Sequence, residues 1–132
     1  MERYSYLSPE WTQEAARRLK RDLTPEKMKH LTSSMLTIYT HCPDGADRAI
    51  YYRVVDGVVE EVSLQEGELP QAEFTIKSDY ETFALISRAE LKARAALMSG
   101  KMTLKGNLVK ALRLAPVVDR LNEVLATIPT AY

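Results

Sequence analysis

The chain of 132 residues balances 18 Lys+Arg against 18 Asp+Glu, with 45% apolar and 27% charged residues. These fractions are ordinary for a globular protein and exclude a disordered chain or a disulfide-stapled miniprotein, since Cys42 is the single cysteine. A formal charge of zero lends no support to nucleic-acid binding, which draws on a clear basic excess. The length suits one domain spanning residues 1–132. The start Met1-Glu2-Arg3-Tyr4-Ser5-Tyr6 lacks the apolar core of a secretion signal, and no run approaches the ~18 apolar residues of a membrane span. The expectation is a soluble, cytoplasmic domain.

Ser8-Pro9-Glu10 reads as a helix start, with a hydroxyl N-cap, proline in the first turn and an acid near the positive end of the dipole. Trp11, Ala15, Leu19 and Leu23 follow at four-residue spacing, and Thr24-Pro25 ends the helix. A short helical turn through Met28 and Leu31 is expected next. From Ser33 the period falls to two. Ser33–Cys42 and Arg48–Val55 read as strands joined by the turn Pro43-Asp44-Gly45-Ala46-Asp47. Asp56-Gly57 predicts a tight hairpin into a third strand, Val58–Gln65, in which strict alternation sets Glu60 on one face with Val62 and Leu64. Ala72–Lys77 alternates as a fourth strand, with Ala72, Phe74 and Ile76 inward.

Ser78-x-x-Glu81 and Ser87-x-x-Glu90 have the form of capping boxes and predict two successive helices, the second ending at Gly100. Lys101–Lys105 alternates as a fifth strand. Asn107 then caps a last helix with Ala111, Leu114, Val118, Leu121, Leu125 and Ile128 on its stripe, kinked or divided by Pro116. The order α, four β, two α, β, α describes an α+β domain with a sheet covered by helices on one side.

Chemistry is sparse. His30 and His41 have no metal-ligand spacing around them, and neighbours on a strand point to opposite faces, which separates His41 from Cys42. No nucleophile elbow or phosphate loop is present, so no catalytic residue, metal or cofactor is assigned. Two features stand out instead. Residues 44–81 carry ten acids and three bases, whereas residues 82–132 carry eight bases and three acids. Between Leu108 and Val118 only Lys110 and Arg113 are charged, so that helix is apolar on most sides. It must be covered by the domain, by another chain or by a ligand. Met98 and Met102, just before it, suit irregular partners.

The stretch Ala72–Phe83, followed by Met98-Ser99-Gly100-Lys101-Met102-Thr103-Leu104-Lys105-Gly106-Asn107, resembles the sterol carrier protein type 2 family of lipid-binding domains. The order of elements agrees over roughly residues 8–125. The resemblance implies a five-stranded, mostly antiparallel sheet with an apolar tunnel between sheet and helices. It also implies non-covalent binding of a fatty acid, fatty acyl-CoA, sterol-like molecule or phospholipid, without catalysis or cofactor. Phe74, Ile76 and Phe83 would face the tunnel. Met98, Met102, Leu104, Leu108 and Leu112 would continue its wall, and the helix beyond Pro116, with Val118 and Leu121, would close the mouth.

Lys101, Lys105, Lys110 and Arg113 would draw in an anionic head group or a membrane surface. The sequence departs from the family at Arg88-Ala89-Glu90-Leu91, where relatives often have a glycine turn, and at Asn107, commonly Asp. The end Thr130-Ala131-Tyr132 is not a peroxisomal signal. Two other readings stand beside the carrier: a homodimeric interaction module with a packed core, and a cofactor-free enzyme using a carboxylate such as Glu60 or Glu73 in an apolar pocket.

Overall fold

In the structure, a computed structural model that describes residues 3–132, Ser8 caps the first helix as its position demands. Its side chain accepts from the Trp11 amide, Pro9 follows in the first turn, and α1 runs Pro9–Asp22. The strands are β1 (Tyr4–Ser5), β2 (Ser33–Thr40), β3 (Arg48–Val55), β4 (Val58–Gln65), β5 (Phe74–Asp79), β6 (Met102–Lys105) and β7 (Thr130–Ala131). The other helices are α2 (Tyr80–Ser87), α3 (Ala93–Met98), α4 (Leu108–Arg113) and α5 (Ala115–Leu125).

The main sheet has the order β4-β3-β2-β5-β6. Three of its pairings are antiparallel and β2–β5 is parallel, so the sheet is mixed and mostly antiparallel. Both residues of the β3–β4 turn adopt positive φ, Asp56 at 47° and Gly57 at 78°, as a tight hairpin of matching twist requires. A Cβ on Gly57 would also stand 2.6 Å from Pro25 Cα. The pairing register slips between Arg53 and Val54, so that Val54 faces Val59 while Tyr52 faces Val62. This bulge corrects the strict alternation expected for β4: Val59 is buried at 1% and Glu60 stands outside.

Helix α1 packs on β4 and α5, and its stripe of Trp11, Ala15 and Leu19 is fully buried with Ile50. The indole Nε1 of Trp11 donates to Thr130 Oγ1 at 3.1 Å. Next to it β1 and β7 pair in parallel, joining the two ends of the chain. Two-residue strands carry no period, which hid this pair from sequence reading.

Several local expectations are corrected. Residues 25–30 form turns with Lys29 and His30 at positive φ, so no helix passes through Met28. The cap of α2 is Asp79, whose carboxylate accepts from the Thr82 amide at 2.7 Å; the Ser78 hydroxyl donates instead to the Lys101 carbonyl. Ser87 starts no helix. It ends α2 and its hydroxyl accepts from Tyr132, while α3 begins only at Ala93. Ala89 occupies the left-handed region (φ 61°) in the α2–α3 link, a conformation that favours glycine. Pro116 divides the last helix as expected, with α4 ending at Arg113 and α5 beginning at Ala115.

Candidate functional site

Period-two alternation aims Met35, Thr37 and Tyr39 of β2, Phe74 and Ile76 of β5, and Met102 and Leu104 of β6 at the helix layer, and strand register aligns them. Helices α3 and α4 face them with only six residues each. Less than two turns cannot lay down a stripe like that of α1, and the facing positions Ala93, Ala111 and Ala115 are small. The layers therefore do not close completely.

Two apolar cavities of about 70 and about 50 Å³ remain. The outer one lies among Phe74, Leu97, Leu104, Ala111, Leu112 and Ala115, with Arg94 and Asp119 in its wall. The inner one lies among Tyr6, Thr37, Tyr39, Tyr52, Phe83, Ile86, Leu121 and Leu125. Met35, Ile76, Ala93, Met102 and Val118 line both, so a thin partition of side chains separates the two.

Of the residues proposed from sequence, Phe74, Leu104 and Leu112 line the outer cavity, Phe83 and Leu121 the inner one, and Ile76, Met102 and Val118 both. Met98 and Leu108 do not continue the wall. They are 70% and 52% exposed, because one ends α3 and the other begins α4, on the solvent side of the cavity. Helix α5 is a wall of the gap and not a stopper at its mouth: Val117, Leu121 and Leu125 are buried against the domain. The segment over the outer cavity is α4, none of whose residues is buried.

Helix α4 is held at its start by Asn107, which accepts from the Lys110 amide, and by an ion pair of 2.5 Å between Lys110 Nζ and Glu73 Oε2. Glu73 also accepts from the Ser33 hydroxyl; the Lys110 hydrogen bond, then that of Ser33, holds its carboxyl below the usual carboxylate range. Gly106 (φ 134°) lets the chain turn against β5, where a Cβ would meet the Glu73 carbonyl and the Phe74 ring, each at 2.8 Å. Lys101, Lys105 and Arg113 are exposed.

Neither Glu60 nor Glu73 reaches a cavity. Glu60 lies 3.6 Å from Arg53 on the surface. The carboxylate that does line the outer cavity is Asp119, 3.7 Å from Lys92. His41 is exposed, and Cys42 is buried with its thiol pushed up by desolvation. Among the described residues no group of three His, Cys, Asp or Glu could hold a metal, and no helix is long and apolar enough to cross a membrane.

Sequence reasoning missed Met35, Thr37, Tyr39 and Tyr52, the sheet floor of the site. The alternation in β2 marks a face, but only the β2–β5 pairing, set by a crossover between distant segments, places that face beside Phe74 and Ile76.

A family model described as the SCP-2 sterol transfer family matches residues 13–119. The chain belongs to that family. Among solved structures, sterol carrier protein 2 superposes with a TM-score of 0.81 at 21% identity, over 94% of this chain and 99% of that one. A Thermus thermophilus protein described as possibly a sterol carrier protein gives 0.80 at 20% identity, over 99% and 94%. The palmitated SCP2L2 of Aedes aegypti gives 0.57 at 20% identity, over 84% and 94%. No curated protein matches the chain. At these identities the structures establish the shared α+β fold, while the SCP-2 match establishes kinship with a lipid-transfer family.

Proposed function

We propose that this chain is a lipid-binding module that holds a long alkyl or acyl chain non-covalently between its sheet and its short helices, and exchanges it with lipid surfaces. The observation that carries the reading is the pair of adjoining apolar cavities, which share Met35, Ile76, Ala93, Met102 and Val118 as lining. Each is smaller than the roughly 300–1,000 Å³ of a small-molecule site, so uptake requires the gap to widen. The partition is suited to this. Met35 and Met102 are long and unbranched and change rotamer at little cost. Helix α4 has no fully buried residue and is tied to the sheet chiefly by the Lys110–Glu73 ion pair, so moving it outward disrupts little packing. A joined cavity would run from the tyrosines beneath α2 to Leu112 beneath α4.

Burial supplies the affinity. At about 0.8 kcal/mol per methylene, a chain of a dozen carbons gains ~10 kcal/mol before association and ordering are subtracted. Micromolar binding with little discrimination between chains is the expected result. At the outer end Met98, Leu108 and Val109 are exposed at 70%, 52% and 63%, close in sequence to Lys101, Lys105 and Arg113. Apolar contact beside positive charge suits brief docking on an anionic membrane.

Native mass spectrometry of the protein as purified, followed by solvent extraction, tests the binding. A bound lipid mass, lost on denaturation, is expected, and a protein that stays ligand-free after incubation with hexadecanoate vesicles would refute it. For docking, reversing charge at Lys105 and Arg113 should slow transfer from anionic vesicles at low salt and leave transfer from neutral ones unchanged.

A further inference from the structure

Resting on that reading, we propose that the inner cavity holds a polar subsite, centred on Thr37, that takes an uncharged oxygen of the lipid, a hydroxyl or a carbonyl. Thr37 lies in the middle of β2, 4% exposed, and lines the inner cavity. Its hydroxyl is buried and has no hydrogen-bond partner. Its strand neighbours in register are Ile50 and Ile76, which offer no polar side chain.

Three neighbouring hydroxyls are occupied: Tyr6 donates to the Phe83 carbonyl, Tyr132 donates to Ser87, and Ser78 donates to the Lys101 carbonyl, while the phenols of Tyr39 and Tyr52 share the cavity wall with Thr37. A buried hydroxyl left unpaired costs stability, and valine would fill the same volume without that cost. Threonine here is explained by a partner that arrives with the ligand.

The charge of that partner follows from the walls. No Lys, Arg, Asp or Glu lines the inner cavity, whereas Arg94 and Asp119 line the outer one. Burial pushes the phenols of Tyr6 and Tyr39 well above their ordinary value and that of Tyr52 to about 12, the mark of a site that does not stabilise ions. An ionised carboxylate would lie there without a counter-charge. The lipid therefore enters with a neutral oxygen leading and leaves any charged group beside Arg94.

Displacement of bound Nile red by 1-dodecanol, 1-chlorododecane and dodecanoate tests the subsite in the wild type, Thr37→Val and Thr37→Ser. The wild type should bind the alcohol about tenfold more tightly than the chloride, the worth of one buried hydrogen bond and its avoided penalty. Thr37→Val should bring that ratio near one, and Thr37→Ser should retain it. An alcohol-to-chloride ratio that is near one in the wild type, or unchanged in Thr37→Val, overturns the subsite and leaves the lipid reading intact. Failure of all three compounds to displace dye from the wild type overturns both.

Discussion

Beneath α1 and beneath α3–α4 the same sheet presents mainly apolar side chains, yet the two regions finish differently. Under α1, a helix of 14 residues, Trp11, Ala15, Leu19 and Ile50 are 0% exposed and Val59 is at 1%. Under the six-residue helices, Met35, Ile76, Leu104, Leu112 and Val118 are only half-buried and surround two cavities. Hydrophobicity sets neither outcome. A long helix holds several side chains in one stripe and fills the layer, whereas short helices broken at Gly100, Gly106 and Pro116 cannot. One half is packed solid and the other keeps two gaps.

The largest effect that would break this contrast is on stability. Trp11→Ala should cost ~3–5 kcal/mol in urea unfolding, as a large buried side chain with a hydrogen-bonded indole. Leu112→Ala, on half-buried α4, should cost about 1 kcal/mol. Equal costs would mean that both halves are packed alike.

A smaller effect is expected at the junction between them. Asp79→Ala removes the α2 cap and should cost ~1 kcal/mol at neutral pH. Hydrogen bonds from the Thr82 hydroxyl and amide hold the Asp79 carboxyl below its ordinary value. Its contribution is therefore full above about pH 4 and is lost as pH falls through the lowered folded value, so wild type and variant should converge in strong acid. Persistence of the difference there would contradict the cap. Smallest is Ala89→Gly. Relieving a positive-φ alanine should stabilise by ~0.5–1 kcal/mol, a thermal shift of a few degrees. A loss of stability would show that the link is not strained.

The fold was legible wherever local chemistry decides it. Ser8-Pro9, Asp56-Gly57, Asn107 and Pro116 each specify a cap, turn or break within a few residues, and the structure keeps each one. Ser78 and Ser87 misled because a hydroxyl has several uses: Ser78 bonds across to Lys101 and Ser87 to Tyr132, partners 23 and 45 residues away. The β4 bulge and the β1–β7 pair likewise depend on distant strands. For the site, motif position and helix phase marked one wall, from Phe74 and Ile76 through Met102 to Leu121. They did not reveal the rest of the sheet floor, Met35, Thr37 and Tyr52, nor that Met98 and Leu108 face solvent. Whether apolar side chains meet or leave a gap is a property of helix length and tertiary spacing, which periodicity does not encode.

The most direct measurement replaces Val118, the α5 residue shared by both cavities, with phenylalanine and titrates the protein with a fluorescent hexadecanoate analogue. A ring placed in the partition should leave the melting temperature equal or higher and weaken uptake at least about tenfold. Undiminished uptake by a folded Val118→Phe protein would show that lipid is held elsewhere and that the space between the layers is not the vessel.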